Sequence, residues 1–190
     1  NDLGNICHEH IEFYSLKSLK YLFERNGLEI FKIEENEING GSYRIFCKKN
    51  IKKSIAYREK TSLNDIKKFI KRVKQNKEKC LSFLRKCKVD GKKVFIYGAS
   101  TKGNTLLQYY GIDSKMISFA SERSPEKWGK YTIGTGVEII SEEYARKLNP
   151  EYFFVMPYAF IKEFVIREKK WLKNGGKFIL PFPNFKVLNN

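Results

Sequence analysis

An α/β protein with a doubly wound parallel sheet, preceded by a helix, a β-hairpin and a long basic helix, is the fold class this 190-residue sequence predicts. Three observations predict it. From residue 94 onward, short wholly apolar runs of strand length alternate with helical periodicity, the pattern of strands buried on both faces between crossover helices. Before that point a hairpin-like pair of alternating segments stands apart from the rest. Between the two lies a stretch in which 18 Lys/Arg face only 4 Asp/Glu (residues 48–93, a balance of +14), while the remainder of the chain is close to neutral at +2.

The elements follow in order. Ser15 precedes Leu16, Leu19, Leu22 and Phe23 at helical spacing, and Gly27 stands where a C-terminal glycine belongs, so a helix is expected over about 15–26. Leu28–Ile33 alternates like a half-buried strand, Asn39-Gly40-Gly41 reads as a turn, and Tyr43–Phe46 reads as the returning strand. Thr61 or Ser62 then caps a long helix. Its stripe comprises Leu63, Ile66, Phe69, Ile70 and Val73, then Cys80, Phe83, Leu84 and Cys87; the lysines take the other face, and Asp90-Gly91 ends it. Val94–Tyr97 is the first buried strand, followed by a glycine loop and a helix to about Tyr110. Met116–Ala120 and Val137–Ile140 are further strands. Ser141-Glu142-Glu143 opens a helix with acids in its first turn, which suits the helix dipole. Tyr152–Val155 is a strand, one helix is expected from about Phe160 to Lys173, Gly175-Gly176 stops it, and Phe178–Leu180 is read as the last strand. The whole is a Rossmann-like arrangement. The expected organisation is a junction segment over 1–60, a basic linker helix over 61–90 and a Rossmann-like domain over 91–190.

Composition narrows the function classes. The chain carries 37 Lys+Arg against 21 Asp+Glu, is 42% hydrophobic and 15% aromatic, and so has enough apolar residues for a core. No apolar run approaches the roughly 18 residues of a membrane span, and the first residues lack the basic head and apolar run of a signal peptide. Cysteines 7, 47, 80 and 87 form no Cys-x-x-Cys pair, and Cys80 and Cys87, seven apart on one helix face, are expected to be buried and reduced; a cytoplasmic setting follows. The first methionine is Met116, so the chain is expected to be a piece of a longer protein. The basic segment invites phosphate, yet no aromatics are interleaved with its lysines as stacking platforms, so nucleic acid is not the expected partner.

Two places could carry chemistry. The loop Gly98-Ala99-Ser100-Thr101-Lys102-Gly103-Asn104 lies between a buried strand and a helix, where the amides of a helix start favour an anion and Lys102 adds a charge. Ser100 replaces the middle glycine of a dinucleotide fingerprint, and Lys102 precedes its glycine instead of following it as in a Walker loop. The glycines alone therefore also read as a plain tight turn. Glu122, ending the next strand, stands where a ribose-binding acid often lies. The second place is Cys7-His8-Glu9-His10, which holds both histidines of the chain. A histidine with an unperturbed pKa of about 6.5 can accept a proton at neutral pH, and an adjacent carboxylate can orient it. From the residues alone, acid–base work, a solvated surface cluster and zinc all remain open, though three neighbours in line seldom face one ion and no second cluster completes a site.

Several segments taken together resemble the C-terminal domain of two-domain, S-adenosylmethionine-dependent C-methyltransferases that act on nucleotide-linked keto-sugars, of the sugar C-3 methyltransferase type. They are His8-Glu9-His10 with Tyr14-Ser15-Leu16, Asn39–Ser42 with Arg44, Tyr97-Gly98-Ala99 with Lys102–Leu107, and Gly129–Tyr131 with Gly134-Thr135. Pro157 with Phe160, and Gly175–Ile179 with Pro181 and Pro183, continue the series in order to residue 183. The resemblance implies a substrate-binding domain preceded by a methyl-donor domain that binds S-adenosylmethionine and is absent from this chain, so the chain by itself is expected to be inactive and to hold no cofactor or metal. It implies His10 as the base that removes a carbon-bound proton beside the 4-keto group, with Glu9 tuning it and His8 as a partner. It further implies that Gly98, Ala99, Ser100, Thr101, Lys102, Gly103 and Asn104 hold the diphosphate, most commonly of a thymidine nucleotide, with Ser42, Arg44, Glu122, Tyr131 and Tyr158 as further substrate contacts. Cys7 stands where the family commonly has tyrosine, Glu122 where aspartate is usual, and Ala159 where asparagine is. A nucleotide-sugar-binding domain without catalysis and a nicotinamide-dependent redox domain are the alternatives; no Tyr-x-x-x-Lys pair supports the latter.

Overall fold

A computed structural model of the chain describes residues 3–37, 41–49, 54–57 and 62–189. They divide into two compact units, His8–Ile70 and a second made of residues 2–7 with Lys71–Asn190.

In the first unit, helix α1 (Leu16–Arg25) begins with a reciprocal box: the Ser15 hydroxyl accepts from the Ser18 amide, and Ser18 Oγ accepts from the Ser15 amide. Such a pair satisfies donors the helix start would otherwise leave open. Gly27, at φ +69°, ends the helix in the left-handed region. Strands β1 (Leu28–Asn36) and β2 (Ser42–Lys49) pair antiparallel, with Ile30 opposite Cys47 and Ile33 opposite Ile45 and an irregularity between Ile30 and Lys32. The expected turn residues Asn39 and Gly40 lie outside the described residues. The segment after the hairpin runs along β1: the Ile55 amide donates to Ile30 O (3.0 Å), and the Ile30 amide to Ser54 Oγ (3.1 Å).

Helix α2 (Leu63–Val89) is capped by Ser62, whose hydroxyl accepts from the Asp65 amide (3.3 Å) while the Asp65 carboxylate accepts from the Ser62 amide (3.0 Å); Thr61 lies outside the described residues. The stripe that the sequence presents as continuous is buried only from Val73 onward, at Val73, Cys80, Leu84 and Cys87, while Leu63 (78% exposed), Ile66 and Ile70 are open to solvent. The reason is positional, since the unit that carries the large sheet starts at Lys71 and only the later turns pack with it. Polar Asn76 also sits on the buried stripe and is satisfied there, donating to Pro183 O (2.6 Å) and accepting from the Phe185 amide (3.1 Å). Part of the basic face also makes hydrogen bonds within the unit. Lys77 Nζ donates to Tyr109 O (2.6 Å) and Lys88 Nζ to Lys115 O (3.0 Å), so some of the charge finishes helix and turn carbonyls of the same unit.

The second unit holds strands β3 (Val94–Tyr97), β4 (Phe119–Glu122), β5 (Glu138–Ser141), β6 (Tyr152–Val155), β7 (Lys177–Leu180) and β8 (Lys186–Leu188), in the order β5-β4-β3-β6-β7-β8. The first five are parallel and β8 runs antiparallel to β7. Helices α3 (Thr101–Tyr110), α4 (Glu142–Lys147), α5 (Ile161–Arg167) and α6 (Lys169–Lys173) connect them. On one face Phe95, Tyr97, Phe153, Val155 and Phe178 pack with Ala145, Phe164, Trp171 and Leu172 of α4, α5 and α6. Tyr152 and Met156, two-residue partners of Phe154 on the opposite face, meet Phe83 of α2 (ring centroids 5.3 Å apart) and Gly103 of α3. Helices therefore cover both faces, as a doubly wound sheet requires. All four cysteines are free, and burial pushes the Cys80 thiol up to about 12.

Three expectations are corrected. The strand read at Met116–Ala120 is Phe119–Glu122, because the Met116 and Ile117 amides close a turn onto Asp113 O. The single helix over 160–173 is two, divided at Glu168, whose 2%-exposed carboxylate accepts from Tyr97 OH (2.7 Å) and Arg146 Nε (2.9 Å). The last strand is β8, not Phe178–Leu180. One rim of the sheet, β5, is lined by residues 129–132 through Gly129 N to Ile139 O (2.9 Å), Ile139 N to Lys130 O (2.8 Å) and Thr132 N to Val137 O (2.9 Å); the other rim is β8, only three residues long. Among the described residues, no helix is long and apolar enough to cross a membrane.

Candidate functional site

With strand order β5-β4-β3-β6-β7, the winding direction reverses between β3 and β6, and in open α/β sheets ligands bind beyond the strand ends at that reversal. The residues there are the Gly98 loop after β3 and Met156–Phe160 after β6. Gly98 sits at φ +84°, and a Cβ on it would lie 2.9 Å from Pro157 Cγ. A Cβ on Gly103 would lie 2.8 Å from Met156 Cβ and 3.0 Å from Ser100 Oγ. The two glycines let the loop and the first turn of α3 close onto the segment leaving β6. Ser100 is the N-cap of α3, its hydroxyl accepting from the Gly103 amide (3.1 Å). The residue that breaks the dinucleotide fingerprint thus has a capping role.

Glu122 organises the neighbouring loop. Its Oε2 accepts from the Ala99 amide (2.9 Å), and its Oε1 from the amides of Arg123 (2.8 Å) and Ser124 (3.1 Å). Lys127 Nζ donates to Ala99 O (3.1 Å) and stands 3.5 Å from Glu122 Oε2, and the Trp128 indole N–H donates to Glu122 O (2.9 Å). The ends of β3 and β4 are thereby tied together through one carboxylate and one ammonium. Lys127, Trp128 and Met156 escaped the sequence reading because nothing local marks them, and Pro157 is marked only by the resemblance; the register of β3 between β4 and β6 brings them to the loop. Asn104 carries a buried Oδ1 with no hydrogen-bond partner among the described residues.

The other expected site residues are spread over both units. Tyr131 is 63% exposed beside its bridge to Glu138, and Tyr158 packs on Phe182 (centroids 6.0 Å apart), both in the second unit. His8, Glu9, His10, Ser42 and Arg44 belong to the first. His8, Glu9 and His10 are all exposed, and the His10 ring meets Phe13 edge-on at 6.4 Å. Arg44 lies 3.4 Å from Glu34 Oε2 across the hairpin. Cys7 is buried and belongs to the second unit, as does the short turn Leu3–Asn5 that lies against α3, so the peptide bond from Cys7 to His8 joins the two units. Among the described residues, no three His, Cys, Asp or Glu side chains gather as metal ligands would.

Residues 37–183 match the profile of the C-methyltransferase C-terminal domain. The chain belongs to that family. It is also 30% identical over 201 residues to C-methyltransferase NovU of Streptomyces niveus, in an alignment that covers the whole of this chain. The chain spans about half the length of that curated relative, 48%. The matched profile takes in the glycine loop, Glu122 and the β6 segment, whereas the His-Glu-His stretch lies upstream of it and is covered by the alignment with the relative. A C-methyltransferase C-terminal domain thus has its reversal point built from Gly98, Gly103, Glu122 and Met156-Pro157.

Proposed function

We propose that this chain is the substrate-holding half of a C-methyltransferase that methylates a carbon beside the keto group of a nucleotide-linked sugar, with a thymidine diphosphate 4-keto-deoxysugar as the substrate class. The observation that carries the reading is the family match laid over a sheet whose reversal point presents a helix-opening glycine loop. Phosphate oxygens would sit against the first turn of α3 and Lys102, where helix amides and a full positive charge favour an anion. Ser42, Arg44, Tyr131 and Tyr158 are proposed as further contacts to sugar or base.

The methyl group is supplied by S-adenosylmethionine. The glycine loop of this chain does not fit it: the helix start and the Lys102 charge that suit phosphate oxygens repel a cationic sulfonium. We assign the donor to a domain preceding this one and derive no step through it. What this chain contributes is the carbanion. A ketone acidifies the hydrogen on the adjacent carbon; a His10 ring nitrogen takes that proton, and the C–H electron pair becomes the enolate. Glu9, next in the chain, orients the imidazole, and His8 assists. A positioned base of this kind contributes about 10²–10⁴ in rate, and the remainder must come from alignment and from stabilising enolate charge.

The test separates proton removal from methyl transfer. In the full-length protein with no methyl donor, deuterium from solvent should enter the carbon beside the ketone, and His10→Ala should slow this entry by at least about 100-fold while nucleotide-sugar affinity stays within twofold. Unchanged exchange in the variant overturns the base assignment.

A further inference from the structure

The chain has two tryptophans, and they are treated in opposite ways. Trp171 is buried against Phe153 and Phe178, its N–H given to Pro150 O (2.9 Å). Trp128 is 43% exposed, yet its polar tip is not what faces water, because the indole N–H is given to Glu122 O at the end of β4. Its backbone is fixed as well. The Trp128 amide closes a 3-10 turn on Pro125 O (3.1 Å), and the next amide, of Gly129, donates to Ile139 O (2.9 Å) of β5. A large aromatic side chain is thus held rigid from both ends while much of its surface stays uncovered, beside a loop that Lys127 ties to Ala99 O.

We infer that Trp128 is the stacking platform for the base of the nucleotide whose phosphates lie at the Gly98 loop; the inference rests on the function proposed above and adds the residue that grips the nucleoside end. In doubly wound sheets a nucleotide runs from the first glycine loop across the end of the next strand, where an acid commonly takes the ribose hydroxyls. Here the acid at that position spends its oxygens on three backbone amides and stands near Lys127. The polar grip on the sugar is therefore weakened, and the rigid indole immediately beyond supplies contact of a different kind. Stacking on a pre-fixed ring loses little side-chain freedom on binding, and it accepts any base because every base has a π-face. Trp128 accordingly supplies affinity for the nucleoside end without choosing the base.

The experiment titrates this chain with thymidine diphosphate, with uridine diphosphate and with inorganic pyrophosphate by calorimetry, in its unaltered form and as Trp128→Ala and Trp128→Phe. Trp128→Ala should weaken both nucleotides by roughly 5- to 100-fold and leave pyrophosphate unchanged, and Trp128→Phe, which keeps a ring, should recover most of the loss. The pyrophosphate titration and a thermal melt report whether either variant has disturbed the loop or the fold. Equal nucleotide affinity in the unaltered chain and in Trp128→Ala overturns the inference and leaves the proposed function standing, as does a Trp128→Phe no better than alanine. An unaltered chain that binds neither nucleotide overturns both.

Discussion

Replacing Glu122 by glutamine tests whether one carboxylate holds the loop after β3 in place. The change preserves shape but leaves a single acceptor oxygen where there were two. The cheaper orientation turns that oxygen toward the paired amides of Arg123 and Ser124 and turns the new NH2 group toward the Ala99 N–H, donor against donor. Ala99 N–H then loses a charge-assisted bond, which is worth about 1.5–3 kcal/mol. Lys127 also loses a charged neighbour, but at 3.5 Å and 41% exposed it can turn to water at little cost. The expected total is about 2 kcal/mol, which for a chain of this size lowers the melting temperature by about 4–8 °C. If the penalty is expressed as local opening of the loop, exchange of the Ala99 amide speeds up by roughly 30-fold. Amide exchange by NMR across residues 98–124, alongside a thermal melt, reads both quantities. Glu122→Asp, which keeps the charge on a shorter arm, should fall between. A glutamine variant with unchanged Ala99 exchange and a melting point within 1 °C would refute the linkage.

Two further outcomes are expected. Burial by itself would raise the Glu168 carboxyl, but hydrogen bonds from Arg146 and Tyr97 and the charges of Arg146 and Arg167 outweigh it and hold the carboxyl below the usual glutamate range. A lowered folded-state pKa means stability that is present above the unfolded value, about 4.3, and is lost as pH falls through the folded one. Glu168→Gln should therefore cost about 2–4 kcal/mol at pH 7, with the gap to the unaltered chain closing below about pH 4; urea titrations at pH 7 and pH 3.5 check it, and a gap that widens on acidification contradicts the sign. Gly103→Ala brings a methyl against Met156 Cβ and Ser100 Oγ. Overpacking of about 1–3 kcal/mol outweighs the roughly 1 kcal/mol of helix propensity gained, so the variant should melt lower than the parent, whereas an unstrained helix position would melt higher.

The parts of the fold legible in sequence are those fixed by neighbours in the chain. Ser15 with Gly27, Ser62 with Gly91, and Ser141 with Glu142 bracket or open helices through contacts a few residues long, and the structure places these helix starts and stops accordingly. The short apolar runs at 94–97 and 152–155 announced buried strands because both of their faces are covered. What could not be read depends on distant partners. Glu168 fits a helical pattern, and it breaks the helix only because Tyr97 and Arg146 receive its carboxylate. Lys186–Leu188 is too short and too mixed to declare itself until β7 is beside it. Leu63, Ile66 and Ile70 share the period of Val73 but not its burial. At the site, the sequence marked the glycine loop and Glu122, but the use of Glu122 as an acceptor for three amides, and the presence of Trp128 beside it, come from the register of β3 and β4.

A sheet with one margin bridged by its own chain and the other ending in a strand of three residues presents little backbone ladder for a stranger's strand to join. Covered or very short margins of this kind are how natural sheets avoid polymerising edge to edge. The consequence is felt at high concentration, where copies of the chain have little edge on which to template one another.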